Sequence, residues 1–408
     1  MKPKNPACRL AAICAILLAG FSSFGQSWYQ TSAATNYDWL SLASSADGSK
    51  LVVVAGDDGF GDGGPICLST NSGSTWAQAG APTHVAWQAV AASTNGAILL
   101  AAVNQDAENH PGLLYTSTNS GKTWKAPASP SNFWAAVAAS ADGAVLVAAD
   151  SGSGDGFIYF STNYGKSWSV TTAPGDFWAA VCVSADGANL VAADSGYGDG
   201  LIYTSTNEGT TWTPTTAPSN PWTTVACSAD GSKLVAADAA LGDDLVYTSP
   251  DAGAAWIPTS APINQWGSVT CSSDGTQFYA ADSGYGDGLI YRSTDAGANW
   301  TSLSLPASYW TSLASSADGS KMAAASSPGG ICAWQANPVL TLNWTSGTFV
   351  LTWPNWSSAA GLVLQGNSGL ATTNWLGVTN KPLLTNGIMQ VVAPQRLAGS
   401  LFYRLALP

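Results

Sequence analysis

The sequence predicts an all-β fold, a seven-bladed β-propeller followed by a small C-terminal β-sandwich. Three observations carry this. A tryptophan opens an apolar run at Trp39, Trp87, Trp134, Trp178, Trp222, Trp266 and Trp310, and from Trp134 onward the spacing is 44 residues. Between these markers the apolar runs are short, rich in Val, Ala, Leu, Ile and Tyr, and separated by turn residues, which is strand patterning. Four runs fit in each repeat, as in WAAVCVS, NLVAAD, LIYTST and the run after Trp212. A repeat of roughly 40 to 45 residues holding four strands is the mark of a propeller blade.

Taken in order, residues 1–26 carry Lys2, Lys4 and Arg9, an apolar stretch AAICAILLAGF and the small residues Ser23 and Gly25. This is the layout of a secretory signal peptide, and its apolar run is too short to span a bilayer comfortably. The mature chain is therefore expected to be exported, either periplasmic, on the cell surface or secreted, without a transmembrane segment and as a monomer.

Residues 27–336 form the repeat array. The last unit has runs at Trp310, around Met322 and at Ile331 to Trp334, but no fourth run before the composition changes at Asn337. Ser27-Trp28-Tyr29-Gln30, ahead of the first marker, reads like a displaced fourth strand. Residues 27–32 are expected to complete the seventh blade, which would pair and hide the sheet edges at the seam.

Residues 337–408 have alternating runs of their own, VLTLNW, TFVLTWP, GLVLQG, MQVVAP and SLFYRLAL, and predict an immunoglobulin- or fibronectin-like sandwich. Charge marks the boundary too. All 25 acidic residues lie between 27 and 336; of the 13 basic ones, three precede 27 and three follow 336, leaving seven. So acidic a propeller repels phosphate backbones, so nucleic acid is not expected as a partner.

Without the leader cysteines Cys8 and Cys14, five remain: Cys67, Cys182, Cys227, Cys271 and Cys332. An odd number without C-x-x-C pairs points to small buried hydrophobes, although Cys227 and Cys271 occupy the same position in consecutive repeats and one bridge between them is conceivable. His84 and His110 make no ligand cluster with cysteine, so no transition-metal site is expected.

The closing turns STNSGSTW, STNSGKTW, STNYGKSW, STNEGTTW, SPDAGAAW and STDAGANW, at 69–76, 117–124, 161–168, 205–212, 249–256 and 293–300, resemble the Asp-box, or BNR repeat. The resemblance implies a structural role for Asn71, Asn119, Asn163, Asn207, Asp251 and Asp295. It places the turns on the face opposite most active sites of that family. Physically, the Asn or Asp caps its own turn, Gly supplies a positive φ and Trp plugs the gap between blades. The S-A-D-G turns are similar to WD-type and YVTN-type propeller repeats. The tail segment LVLQGNSGLATTNWLGVTN with LFYRLALP resembles a C-terminal module common on exported proteins of environmental bacteria.

Many sialidases carry Asp-boxes, and sialidases need three arginines on the substrate carboxylate and a Tyr–Glu pair. The propeller has only Arg292, and its glutamates are Glu108 and Glu208, the latter inside a closing turn. Sialidase chemistry is therefore not expected. Photosystem assembly factors built on similar repeats bind through basic patches, which this chain lacks.

If strands alternate in direction, the loops between second and third strands share a rim with the approaches to the lead tryptophans. These loops contain Asp150 and Asp155, Asp194 with Tyr197 and Asp199, Asp282 with Tyr285 and Asp287, and a variant with Phe60. Tyr37, Phe133, Phe177 and Tyr309 precede lead tryptophans. Aromatic faces stack on sugars and carboxylates accept from hydroxyls, so a rim that binds a glycan or an extracellular protein is one expectation. The competing one is packing for the tryptophans and turn chemistry for the Asp-Gly pairs. No cofactor is expected; calcium is an alternative for the paired aspartates, though the loops lack D-x-D-x-D spacing. The repetition argues against catalysis, with a glycoside hydrolase using two rim aspartates as the alternative.

Overall fold

The computed structural model describes residues 28–335 except 57–62, 84, 106–109, 127, 153–154, 197–198, 239–242, 285–286, 304 and 328, together with 341–345, 348–354, 363–367, 376–378, 381–385, 388–392 and 402–406. The expected leader, residues 1–26, lies outside the described residues. The array Ser27–Gln335 is one compact unit, and Ala336–Pro408 belongs to a second.

Seven four-stranded antiparallel sheets build the first unit. Blade 4 shows the plan: Trp178–Val183, Leu190–Asp194, Ile202–Ser205 and Thr213–Pro214 pair in chain order. Its second strand is buried along all five residues because both faces meet neighbouring sheets, and Ala192 and Ala193 let those sheets come close. In blade 2 the fourth strand is reduced to a bridge between Thr116 and Lys125, followed by pairing of Ser131–Asn132 with Leu113 and Gly112. Pro130 in that stretch cannot donate to a ladder.

Blade 7 takes its fourth strand from the other end of the unit. Tyr29 pairs with Ala333 and Gln30 with Cys332, alongside Ile331–Gln335. Trp28 packs its ring 6.3 Å from that of Trp334, over which Arg292 stacks at 5.1 Å. A second closure runs through the turns after each first strand. The N–H of Ala46 donates to Thr94 O, Thr94 to Ala141, Ala141 to Ala185, Ala185 to Ala229, Ala229 to Ser273, Ser273 to Ala317 and Ala317 back to Ala46. Seven bonds thus close a circle.

The lead tryptophans are core residues. Six are fully buried and Trp310 is 2% exposed. A β-bulge directly after each one, such as the shift between Trp178 and Ala180, recurs in all seven blades and turns the indole toward the neighbouring blade. Trp178 meets Tyr203 edge-on at 5.6 Å and donates through Nε1 to Gly156 O, 3.0 Å away on blade 3. Trp134, Trp222, Trp266 and Trp310 make the equivalent bond to the blade before them.

The closing turns have the geometry that their side chains dictate. In blade 4 Ser205 Oγ accepts from Gly209 N and donates to Asn207 Oδ1, which also accepts from Thr211 N at 2.9 Å. Asn71, Asn119 and Asn163 accept likewise from Thr75, Thr123 and Ser167, and Asp251 and Asp295 from Ala255 and Asn299. The glycine has positive φ, and so, unexpectedly, does the residue before it: Ser72, Ser120, Tyr164, Glu208, Ala252 and Ala296 lie at φ 56–62.

The second unit contains one sheet of four strands, ordered Thr341–Thr345, Thr348–Pro354, Ile388–Val392, Leu383–Thr385, and one of three, ordered Leu376–Gly377, Val363–Asn367, Phe402–Ala406. Leu351 and Val391 of the first sheet and Leu364 and Tyr403 of the second are buried. Among the described residues no helix is long and apolar enough to cross a membrane.

Candidate functional site

Strand direction puts the loop between second and third strands, and the crossing to the next blade, on one face. The S-x-D-G and closing turns occupy the other. On that turn face many polar side chains tie the blades together: Ser184 Oγ donates to Asp186, which accepts from Ala188 N, and Lys50, Asn189, Lys233, Gln277 and Lys321 each reach a main-chain oxygen of the next blade.

On the rim, the aspartates that end the second strands are turned inward. Asp194 and Asp282 are fully buried, and each takes two loop N–H groups, from Gly196 and Gly200 and from Gly284 and Gly288. Asp150, 8% exposed, accepts from Gly152 N. Asp238 accepts from Asp244 N and Leu245 N. Asp150, Asp194 and Asp282 thus hold loops together, with Asp194 and Asp282 away from solvent. The loops need glycine: a Cβ on Gly156 would lie 2.1 Å from Asp150 O.

The second aspartates face out. Asp155, Asp199 and Asp287 are exposed. Asp199 Oδ2 accepts from the hydroxyl of Tyr203 at 2.7 Å, and Asp243 and Asp287 accept in the same way from Tyr247 and Tyr291. Burial, reinforced by that carboxylate, pushes the Tyr291 hydroxyl up to about 12. Exposed aromatics share this rim: Phe133, Phe157 and Tyr309 expose 40%, 41% and 51% of their surface. Phe133 and Phe157 flank one segment, since Ser151 N donates to Phe133 O and Asp150 N to Phe157 O. Tyr197, Tyr285 and Phe60 lie outside the described residues.

One constellation escaped the sequence reading. Asp176, on the crossing from blade 3 to blade 4, brings a carboxylate oxygen within 4.8 Å of oxygens from both Asp194 and Asp199. It is 7% exposed and accepts from Phe177 N at 3.0 Å. Burial and the two carboxylates hold its pKa up, at about 6. Counted back two residues from the lead tryptophans, the same place is Asn132, Asn220 and Asn264 in blades 3, 5 and 6. That column of the repeat was the available signal. The three carboxylates supply oxygen ligands of the kind a hard divalent cation takes.

No protein-family model matches the chain, and no curated protein matches it. Solved structures do. YCF48 from Cyanidioschyzon merolae superposes with a TM-score of 0.55 at 16% identity, over 76% of this chain and 98% of that one. A structure titled as YCF48 bound to D1 peptide gives 0.57 at 14%, over 79% and 99%. A chain of a mitotic checkpoint complex gives 0.57 at 13%, over 82% and 99%. At these identities the likeness is one of fold.

Proposed function

We propose that this chain is an exported, non-catalytic binding propeller that engages a glycan or an extracellular protein through the rim opposite its closing turns. The observation that carries this is the aromatic surface of the rim, where Phe133, Phe157 and Tyr309 are exposed together with the carboxylates of Asp155, Asp199 and Asp287. Aromatic surface next to acceptors suits sugar rings and hydroxyls, and equally an extended peptide. A propeller of similar fold has been captured with a peptide, as the D1 peptide complex of YCF48 records. On this reading the six closing turns are Asp-boxes with a purely structural role, residues 1–26 direct export, and the second unit serves as an adhesion or spacing module. The protein acts as a monomer.

On this reading the place for calcium is Asp176, Asp194 and Asp199, where three carboxylates converge. A glycoside hydrolase is the second reading, favoured by the pairing of Asp176, raised toward neutrality, with exposed Asp199. Their oxygens lie within 4.8 Å, shorter than the roughly 5–5.5 Å separation of carboxyl groups in retaining enzymes.

A glycan array and a peptide display screen with the leaderless chain test the proposal, followed by hydrolysis assays on each hit. Binding should fall at least tenfold in Phe133→Ala/Phe157→Ala and in Tyr197→Ala/Tyr285→Ala. Full binding by both double variants would remove the rim from consideration, and turnover abolished by Asp176→Asn would favour the hydrolase.

A further inference from the structure

The first strands of adjacent blades face each other in a fixed pattern near the axis. Counting the lead tryptophan as one, the fifth residue of one blade meets the sixth residue of the next. Thr270 and Ser315 define the spacing, with hydroxyl oxygens 3.4 Å apart. Elsewhere the paired positions hold Ala43 and Ala92, Ala138 and Val183, and Ala226 and Cys271, each pair packed into the hydrophobic cluster its two blades share.

Between blades 4 and 5 both positions are cysteine. Cys182 and Cys227 pack against one cluster, built from Ala180, Val191 and Ile202 on one side and Trp222, Val225 and Leu234 on the other. Burial, with the Cys227 thiol as its neighbour, pushes the Cys182 thiol up. We propose that Cys182 and Cys227 become a disulfide tying blade 4 to blade 5 when the chain folds under oxidising conditions. The pairing rests on the repeat geometry. At the equivalent interface between blades 6 and 7 the γ atoms of these two positions approach to 3.4 Å, so the two cysteine side chains are aimed at one another, the arrangement a disulfide needs.

The same geometry disfavours the bridge that the sequence made conceivable. Cys227 and Cys271 are both sixth residues, and Cys271 directs its thiol at the main-chain oxygen of Cys227, 3.1 Å away. Cys67 and Cys332 sit on the third strands of blades 1 and 7. In the structure all five described cysteines are free thiols.

The chemistry is thiol–disulfide exchange. The thiolate of either cysteine attacks oxidised glutathione or a protein disulfide and expels one thiolate. The other cysteine then attacks the mixed disulfide and expels the second. The new S–S bond replaces two S–H bonds, and the two electrons and two protons end on the departing thiols. Burial raises the Cys182 thiol well above its ordinary range, so the exchange belongs to the stage before blades 4 and 5 dock.

Export would supply the oxidising compartment, but the test does not depend on it or on rim binding. The full chain is refolded with oxidised and reduced glutathione, blocked with iodoacetamide, digested and mapped by mass spectrometry. A cross-linked peptide pair joining Cys182 to Cys227 is expected, with Cys67, Cys271 and Cys332 alkylated. The link should vanish in Cys182→Ser and Cys227→Ser and persist in Cys271→Ser. The thermal midpoint of the parent should exceed that of Cys182→Ser, and reductant should erase the difference. If refolding fails, chain exported to a bacterial periplasm and alkylated before lysis gives the same map. Folded protein with Cys182 and Cys227 separately alkylated, or with Cys227 joined to Cys271, overturns the proposal.

Discussion

The N–H of Ala317 donates to the carbonyl oxygen of Ala46 at 2.7 Å, joining the turn of blade 7 to that of blade 1. It completes the circle that Ala185 N–H to Ala229 O continues in mid-array, also at 2.7 Å. Ala317 and Ala185 each follow the first residue of a tight turn closed by Gly319 N to Ser316 O and Gly187 N to Ser184 O, a position that accepts proline. Ala317→Pro and Ala185→Pro should therefore each remove one donor at a cost of about 1 kcal/mol. Urea denaturation measures both. A seam variant that costs nothing beside a costly interior one would mean that the circle is open there.

Removing residues through Gln30 uncovers the edge of Ile331–Gln335 and strips the Tyr29 hydroxyl from Ser72 O, 2.9 Å away on blade 1. An unpaired edge recruits other chains. The truncated protein should melt earlier and elute as oligomers in light-scattering chromatography at micromolar concentration. A monomer with an unchanged midpoint would show that the pairing contributes nothing.

The closing turns hold two left-handed residues in succession, and only one is glycine. Tyr164 sits at φ 62 and Glu208 at φ 57, where a Cβ is strained. Tyr164→Gly and Glu208→Gly should stabilise by up to about 1 kcal/mol, because relief of strain outweighs the added freedom of the unfolded chain. Gly209→Ala should do the opposite by more than about 1 kcal/mol, since φ is +76 and the new Cβ would meet Thr171 Cγ2 at 2.6 Å. Thermal midpoints of the three variants decide.

Asp176 titrates at about 6 when folded against 3.8 for the free side chain, so the folded chain holds a proton that the unfolded chain has released. Its contribution favours folding most below pH 4, declines as pH rises to 6 and is level above that. Asp238, also held at about 6, adds to the same decline. Asp176→Asn, the residue found in the sister blades, should raise stability at pH 7.5 by about 1–2 kcal/mol, below the roughly 3 kcal/mol ceiling that a two-unit shift sets. It should also flatten the slope between pH 4 and 6. Calcium should raise the midpoint of the parent and not of this variant; an equal response in both would remove the carboxylate cluster as its site.

Much of the fold was legible because period and turn chemistry are local properties of the chain. Seven lead tryptophans at near-constant spacing reveal the blades, and the missing fourth run after Trp334 points to Tyr29–Gln30 as its replacement. The bulge after each tryptophan was not legible because it answers to the neighbouring blade, and the left-handed residue before each closing glycine was not because its main-chain N–H is held by the turn before the second strand of its own blade, as Glu208 N is by Ala188 O. The site was harder still. Asp150, Asp194 and Asp282 look like acceptors in sequence, but the loops that follow them fold back and use the carboxylates as clamps. Asp176 escaped notice because its meaning comes from two aspartates some twenty residues on, and from the asparagines that replace it in other repeats.

The pairing of Tyr29 and Gln30 with Cys332 and Ala333 sets an order of events. The piece synthesised first is the piece placed last, because its partner strand emerges only after about three hundred further residues have been made. Until then six complete sheets must stand as an open arc, presenting one bare flank at each end. The meeting of the two extremities is thus the step expected to be slow, at an entropic cost that grows only with the logarithm of the intervening length. A chain cut and rejoined at a rim loop, with Gln30 and Cys332 placed near each other in sequence, should mature faster while reaching the same final circle.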